Sequence, residues 1–237
     1  MSKFDEVSER FRKLKFMNRA RAERAREIIV HHGCSNLLEV GFFKGKSSAY
    51  FAAILEDLGR GHLTTIDRER AKRLSPNIES VLSDLNLTHR VTPIFAQRSH
   101  TWEMAKMLET SPRPQFDFCY FDGGHTWDVT GFGLVLVDML LKPGGVILVD
   151  DLNWTIDTTI AVDGSRADIY KKYSADEKAA RNVELAFRTI LPHLGYEDLQ
   201  TIEFSWGMAV KPASGSAARP PLPAPGAVQR LRSRLGI

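Results

Sequence analysis

The chain has 237 residues, a formal charge of +3, 43% apolar and 26% charged side chains, 17 glycines and 11 prolines. That is the mixture of a soluble globular protein, not of a disordered, collagenous or coiled-coil one. A fold of this size buries about 70% of its unfolded surface and needs no covalent staple. No stretch approaches the roughly 18 apolar residues of a membrane span. The opening MSKFDEVSER has no apolar run behind its charges, so no secretory signal and a cytoplasmic location are expected. Cys34 and Cys119, the only cysteines, sit in or beside apolar strand patterns, which suits buried, reduced thiols and excludes a zinc cluster.

Charge is uneven along the chain. The first 30 residues carry nine basic and five acidic side chains, and residues 211–237 carry five basic and none acidic, so the 180 residues between are net −6. An acidic middle opposes a phosphate backbone, which makes a nucleic-acid partner unexpected.

Residues 3–30 read as one bent helix or two. Phe4, Val7, Phe11 and Leu14 recur at helical spacing, and the stripe they form suggests a helical cap (residues 1–34) or the contact of a homodimer. Short apolar runs at 37–40, 62–66, 89–95, 116–121 and 146–149 then alternate with helical stretches at 47–58, 70–85 (interrupted near Pro76), 99–108 and 127–140. Strands alternating with helices mean βαβ units, and continuous apolar runs mean a mostly parallel sheet covered on both faces. A Pro-Gly-Gly turn is expected at 142–145. Residues 152–174 have little period and are expected to act as a lid-like insert. A helix at 175–191 and an antiparallel strand pair at 195–200 and 203–210 close a domain spanning 35–210. The stretch 211–237, rich in proline and alanine, reads as a flexible basic tail.

Two constellations carry chemistry. In LLEVGFFKGKSSAY, a strand leads through Glu39 into Gly41, a bend, Gly45 and a helix opened by Ser47 and Ser48. Glycine permits the tight bend, and the free amides of the helix start can face a polar ligand. The spacing is neither the dinucleotide fingerprint nor a phosphate loop. Asp67, ending the second strand, can accept both hydroxyls of a ribose, so the pair favours a nucleoside-containing ligand. The second constellation joins FDFCYFDGGHTW to GGVILVDDLNW, which bring Asp122, Asp150 and Asp151 to the carboxyl ends of neighbouring strands. Three carboxylates sharing a small volume repel unless a proton or a divalent cation intervenes, and oxygen ligands suit Mg²⁺. His125, three residues past Asp122, can take a proton near neutrality and so serve with Asp122 in catalysis. Trp127 and Trp154 are candidate aromatic walls.

Over residues 35–210 the chain resembles the class I S-adenosylmethionine-dependent methyltransferases, through EVGFFKGKS, Asp67 and LKPGGVILVDD. Within that class it looks most like small-molecule O-methyltransferases of the catechol and caffeoyl-coenzyme A type and those acting on antibiotic sugars. The resemblance implies a doubly wound, Rossmann-like α/β fold with seven strands and an antiparallel last strand. It implies that S-adenosylmethionine lies on Glu39, Gly41, Gly45, Ser47 and Asp67, with adenine near Ala96, Gln97 and Ser99. It further implies a divalent cation on Asp122, Asp150 and Asp151, and a small-molecule hydroxyl as acceptor. The chain departs from the pattern at His125, where the catechol-type enzymes carry lysine, and at Gly124, where the sugar-type enzymes carry an acid. A metal-independent methyltransferase and a non-catalytic interaction module remain as alternatives.

Overall fold

The computed structural model describes residues 1–213; the tail expected at 211–237 lies outside the described residues beyond Ala213. The amino-terminal segment forms two helices, α1 (Lys3–Arg10) and α2 (Arg19–His31). Ser2 caps α1, and Asp5 and Glu6 in its first turn complement the helix dipole. Between the helices, Phe16 and Met17 take left-handed backbone angles (φ 65° and 37°), and Asn18 restarts the helix as its cap. The Lys46 ammonium donates to the Leu14 carbonyl at 2.6 Å and pins this linker to the rest of the molecule. Phe4 and Val7 are fully buried, with the Phe4 ring 5.1 Å from that of Tyr50. The stripe that suggested a dimer contact is therefore used within the chain.

There follow β1 (Asn36–Val40), α3 (Lys46–Asp57), β2 (His62–Arg68), α4 (Ile78–Asp84), β3 (Val91–Ala96), α5 (His100–Leu108), β4 (Phe116–Phe121), α6 (Trp127–Leu140) and β5 (Leu141–Val149). After these come α7 (Ile156–Val162), α8 (Ala175–Ala179), α9 (Asn182–His193), β6 (Glu197–Ile202) and β7 (Trp206–Val210). The seven strands form one sheet in the order β3-β2-β1-β4-β5-β7-β6. β7 runs antiparallel to both its neighbours, and the other pairings are parallel. This is the expected doubly wound α/β sheet.

Alternate strand residues feed two cores. Leu37, Phe118, Tyr120 and Leu148 pack with α1 to α4, whereas Leu38, Cys119, Phe121 and Val149 pack with α5, α6 and α9. Each fully buried large apolar side chain contributes roughly 1.5–3 kcal/mol, so the central strands anchor the rim where their carboxyl ends emerge. Both thiols are buried, and burial raises their pKa, which leaves them unreactive.

Several boundaries differ from the sequence expectation for local reasons. The Pro-Gly-Gly stretch is a bulged start of β5, because Lys211 exchanges backbone hydrogen bonds with Gly144 and Gly145. A short 3-10 turn at Glu69–Arg73 and a capping box between Asn77 and Ser80 divide the region around Pro76. The insert after β5 contains α7, capped by Thr155, and the helix expected at 175–191 is split into α8 and α9. β7 starts at Trp206, because Phe204 and Ser205 adopt φ of 67° and 60° and break the strand.

Candidate active site

The strand order reverses between β1 and β4, and in an open α/β sheet that reversal opens a crevice beyond the carboxyl ends. The ladder continues past the strands: Asp122 N–H donates to the Val40 carbonyl at 2.8 Å and Asp150 N–H to that of Phe121 at 3.0 Å. The ends of β1, β4 and β5 are thereby held side by side, with Asp67 of β2 next in line.

At the β1 end, both glycines are required by the protein's own packing. A Cβ on Gly41 (φ 93°) would lie 1.9 Å from the Asp122 carbonyl oxygen, and one on Gly45 (φ 85°) 2.7 Å from Ile78 Cα. Asp67 steadies the bend between them, accepting from Phe42 N–H at 3.0 Å and Phe43 N–H at 2.6 Å on one oxygen and Arg68 N–H at 2.6 Å on the other. An ionised carboxylate offers about four acceptor positions, so capacity for ribose hydroxyls remains. Glu39 is fully buried. Burial raises its carboxyl to about 7, although the hydroxyls of Ser47, Ser48 and Thr65 favour the charged form. Ser48 and Thr65 donate to the same oxygen, while Oε1 has no partner. A buried carboxyl with one oxygen still free to pair, beside the free amides of the α3 start, fits the aminoacyl end of the expected cofactor.

On the β3 side, Ala96 is buried, Gln97 is exposed, and Ser99 caps α5 by accepting from Trp102 N–H at 3.4 Å. His100, which carries no signal in the sequence, lies against Gly123 and Gly133 with Nε2 unpartnered, and burial lowers it to about 4.

At the β4 and β5 ends the structure gathers Asp122, His125 and Asp151. His125 Nε2 is 3.1 Å from Asp151 Oδ2 and 3.5 Å from Asp122 Oδ1. Burial opposes a charged imidazole, but the hydrogen bonds to Asp122 and Asp151 outweigh it and raise His125 to about 9. Burial raises Asp122, and the bond from His125 lowers Asp151. Asp150, expected in the same group, is instead 5% exposed and turned to Arg21, Tyr120 and the Asp151 amide. Trp154 stacks over His125 with ring centroids 4.9 Å apart, and Tyr170 follows at 6.5 Å, so the insert reaches back over the acidic group. Trp127, at the start of α6, is 37% exposed.

Asp122, His125 and Asp151 each offer one ligand atom, and these atoms lie within 4.8 Å of one another. Two carboxylates and an imidazole fit a divalent cation that accepts nitrogen as well as oxygen. A proton on His125 serves the same two carboxylates, so a cation binding there would have to displace it.

Residues 38–152 match the model of a family described as a methyltransferase domain. With the sheet topology, this gives the chain the Rossmann-like fold of a methyltransferase domain over the matched residues. Its fold is shared by the O-methyltransferase TomG of Streptomyces achromogenes, involved in tomaymycin synthesis and solved with S-adenosylmethionine (18% identity, 90% of this chain and 91% of that one, TM-score 0.59). It is shared too by an O-methyltransferase of Bacillus cereus solved with S-adenosylhomocysteine (16% identity, 88% and 90% of the two chains, TM-score 0.60). MycE of the mycinamycin pathway, solved with magnesium, S-adenosylhomocysteine and mycinamycin VI, is 14% identical over 92% of this chain and 57% of that one, with TM-score 0.56. No curated protein matches the chain in sequence. Among the described residues, no helix is long and apolar enough to cross a membrane.

Proposed function

We propose that the protein transfers a methyl group from S-adenosylmethionine to a hydroxyl of a small molecule, assisted by a divalent cation. One observation carries this reading: Asp122, His125 and Asp151 converge at the strand-order reversal that also holds Glu39, the glycine bend and Asp67. Glu39 and the α3 amides hold the aminoacyl end of the cofactor, Asp67 its ribose, and the β3 end around Ala96, Gln97 and Ser99 its adenine. The Asp122 group faces the acceptor. Asp122, His125 and Asp151 would hold the cation, whose positive charge would acidify an acceptor hydroxyl. The chain's own contribution is alignment: the rigid strand ends fix donor and acceptor in line, and such positioning supplies much of the rate. Trp154, stacked on His125, forms one wall of the acceptor space, and the 152–174 insert excludes water from it.

A second, metal-independent reading is favoured by His125 itself, which already sits between the two carboxylates as a cation would. His125 then serves as proton acceptor for the hydroxyl. Calorimetric titration with S-adenosylhomocysteine, with and without Mg²⁺ or Mn²⁺, tests the reading. It is followed by transfer of labelled methyl to a panel of catechols, phenolic thioesters and sugar alcohols. Cofactor binding and labelled ether products support methyl transfer; cation dependence separates the two variants; absence of S-adenosylhomocysteine binding contradicts both.

A further inference from the structure

Arg21 reaches the site from α2, 129 residues before Asp150 in the chain. Its guanidinium donates to both Asp150 oxygens, at 3.0 and 3.3 Å, and to the Phe204 carbonyl at 3.4 Å. It lies over the rings of Phe204 and Trp206, 5.4 and 5.7 Å from their centroids. Asp150, so held, accepts from the Tyr120 hydroxyl and, at 2.7 Å, from the Asp151 backbone N–H. Asp151 is bent into the left-handed region (φ 58°), which aspartate tolerates better than most residues with a Cβ and which the Asp150 carboxylate steadies by accepting the Asp151 N–H. That bend directs the Asp151 carboxylate to His125. One residue on, Leu152 N–H is fixed to the Ser205 carbonyl at 3.1 Å, so the corner before β7 braces the same turn.

We propose that Arg21 is a positioning residue of the methyl-transfer site. Through Asp150 it enforces the left-handed turn at Asp151 and so aims Asp151 at Asp122 and His125. The inference rests on the reading of that trio as the acceptor-side site. Arginine suits this role, since its Nη1 bonds the Asp150 carboxylate while Nη2 reaches the Phe204 carbonyl and the guanidinium plane lies over two aromatic rings, a set of contacts an ammonium does not reproduce. Without it, a nearly buried carboxylate beside two others would keep only the Tyr120 hydroxyl and the Asp151 amide as donors, and its hold on the turn would loosen. The helices α1 and α2 are then more than a cap, because the docking of α2 completes the site from the opposite end of the chain.

The test compares the full-length wild type with Arg21→Ala and Arg21→Lys by hydrogen–deuterium exchange, by Mn²⁺ binding read from electron paramagnetic resonance, and by calorimetry with S-adenosylhomocysteine. In Arg21→Ala, peptides covering 150–154 are expected to exchange about tenfold faster and Mn²⁺ affinity to fall about tenfold, the lower end of the usual effect of losing a residue that orients a metal ligand. Peptides from β1 and β4 and the affinity for S-adenosylhomocysteine should be unchanged. Millimolar guanidinium, but not sodium at equal ionic strength, should slow exchange at 150–154 again, and Arg21→Lys should fall between the two. Wild-type exchange at 150–154 in a folded Arg21→Ala protein would overturn the proposal. So would acceleration spread evenly over the sheet in both variants, which marks a purely structural role. If the wild type binds no Mn²⁺, the cation reading fails by itself, and the exchange measurement still decides for or against Arg21.

Discussion

Replacing Glu39 by glutamine separates charge from shape at the end of β1. The side chain is fully buried, so its shift needs no discount for solvent screening. Its carboxyl titrates at about 7 in the folded protein against 4.5 for the free group, with burial the dominant cause. Between those values the folded state keeps a proton that the unfolded state has lost, so stability falls as pH rises through this window. At about 1.36 kcal/mol per pH unit the accumulated loss is roughly 3 kcal/mol by pH 8. Glutamine does not titrate. Urea unfolding of wild type and Glu39→Gln from pH 4.5 to pH 8 should therefore show their difference moving by roughly 3 kcal/mol in favour of the variant. A difference constant to within about 0.5 kcal/mol would refute the claim that burial keeps this carboxyl protonated.

Other consequences concern the bend, the ribose position and the base. Gly41→Ala should destabilise by at least about 2 kcal/mol, since the new methyl adds a backbone clash to the left-handed penalty; Gly144→Ala, at φ 77° with open space around it, should show only the penalty of about 1 kcal/mol. Equal losses in denaturant unfolding would contradict the role given to the Asp122 carbonyl. Asp67→Asn removes one of the acceptors that steady the bend and should weaken S-adenosylhomocysteine binding about tenfold or more by calorimetry, given about 1.5–3 kcal/mol for a hydrogen bond to a charged group. A base must lose its proton to act, and the two carboxylates hold that of His125 up to about 9. Without added divalent ion, methyl transfer should therefore climb from pH 7 to pH 9, and His125→Gln should abolish the climb. A flat wild-type profile would remove His125 from the proton transfer.

The elements that were legible in the sequence owe their form to local causes. Short apolar runs followed by amphipathic stretches announce a covered parallel sheet, and the Gly41–Gly45 spacing, Asp67 and the acids after β4 and β5 mark its ligand-bearing edge. Contacts between distant segments left no such trace. Asp150 and Asp151 read as equivalent neighbours, yet a left-handed backbone at Asp151 sends the two carboxylates apart, one to His125 and the other to Arg21. Nothing near Arg21 in the sequence distinguishes it from the arginines around it on α2. The bends at Phe16, Met17, Phe204 and Ser205 were equally hidden, because non-glycine residues there are held left-handed by their tertiary surroundings. The glycine bend is legible as a tight turn but its cause is not, because the Asp122 carbonyl that fills the space left by the missing Cβ of Gly41 comes from the end of β4, a distant segment of the chain.

The central claim is a cofactor lying across the ends of β1 and β2 with its reactive end turned to Asp122, His125 and Asp151. A crystal structure of the protein with S-adenosylhomocysteine and Mn²⁺, with the ion located by anomalous scattering, tests it most directly. The ribose hydroxyls should lie on Asp67 with the sulfur facing Asp122, and an anomalous peak should fall among Asp122, His125 and Asp151 with Asp150 still on Arg21. A sulfur pointing away from Asp122, or a cofactor bound elsewhere on the sheet edge, would contradict it.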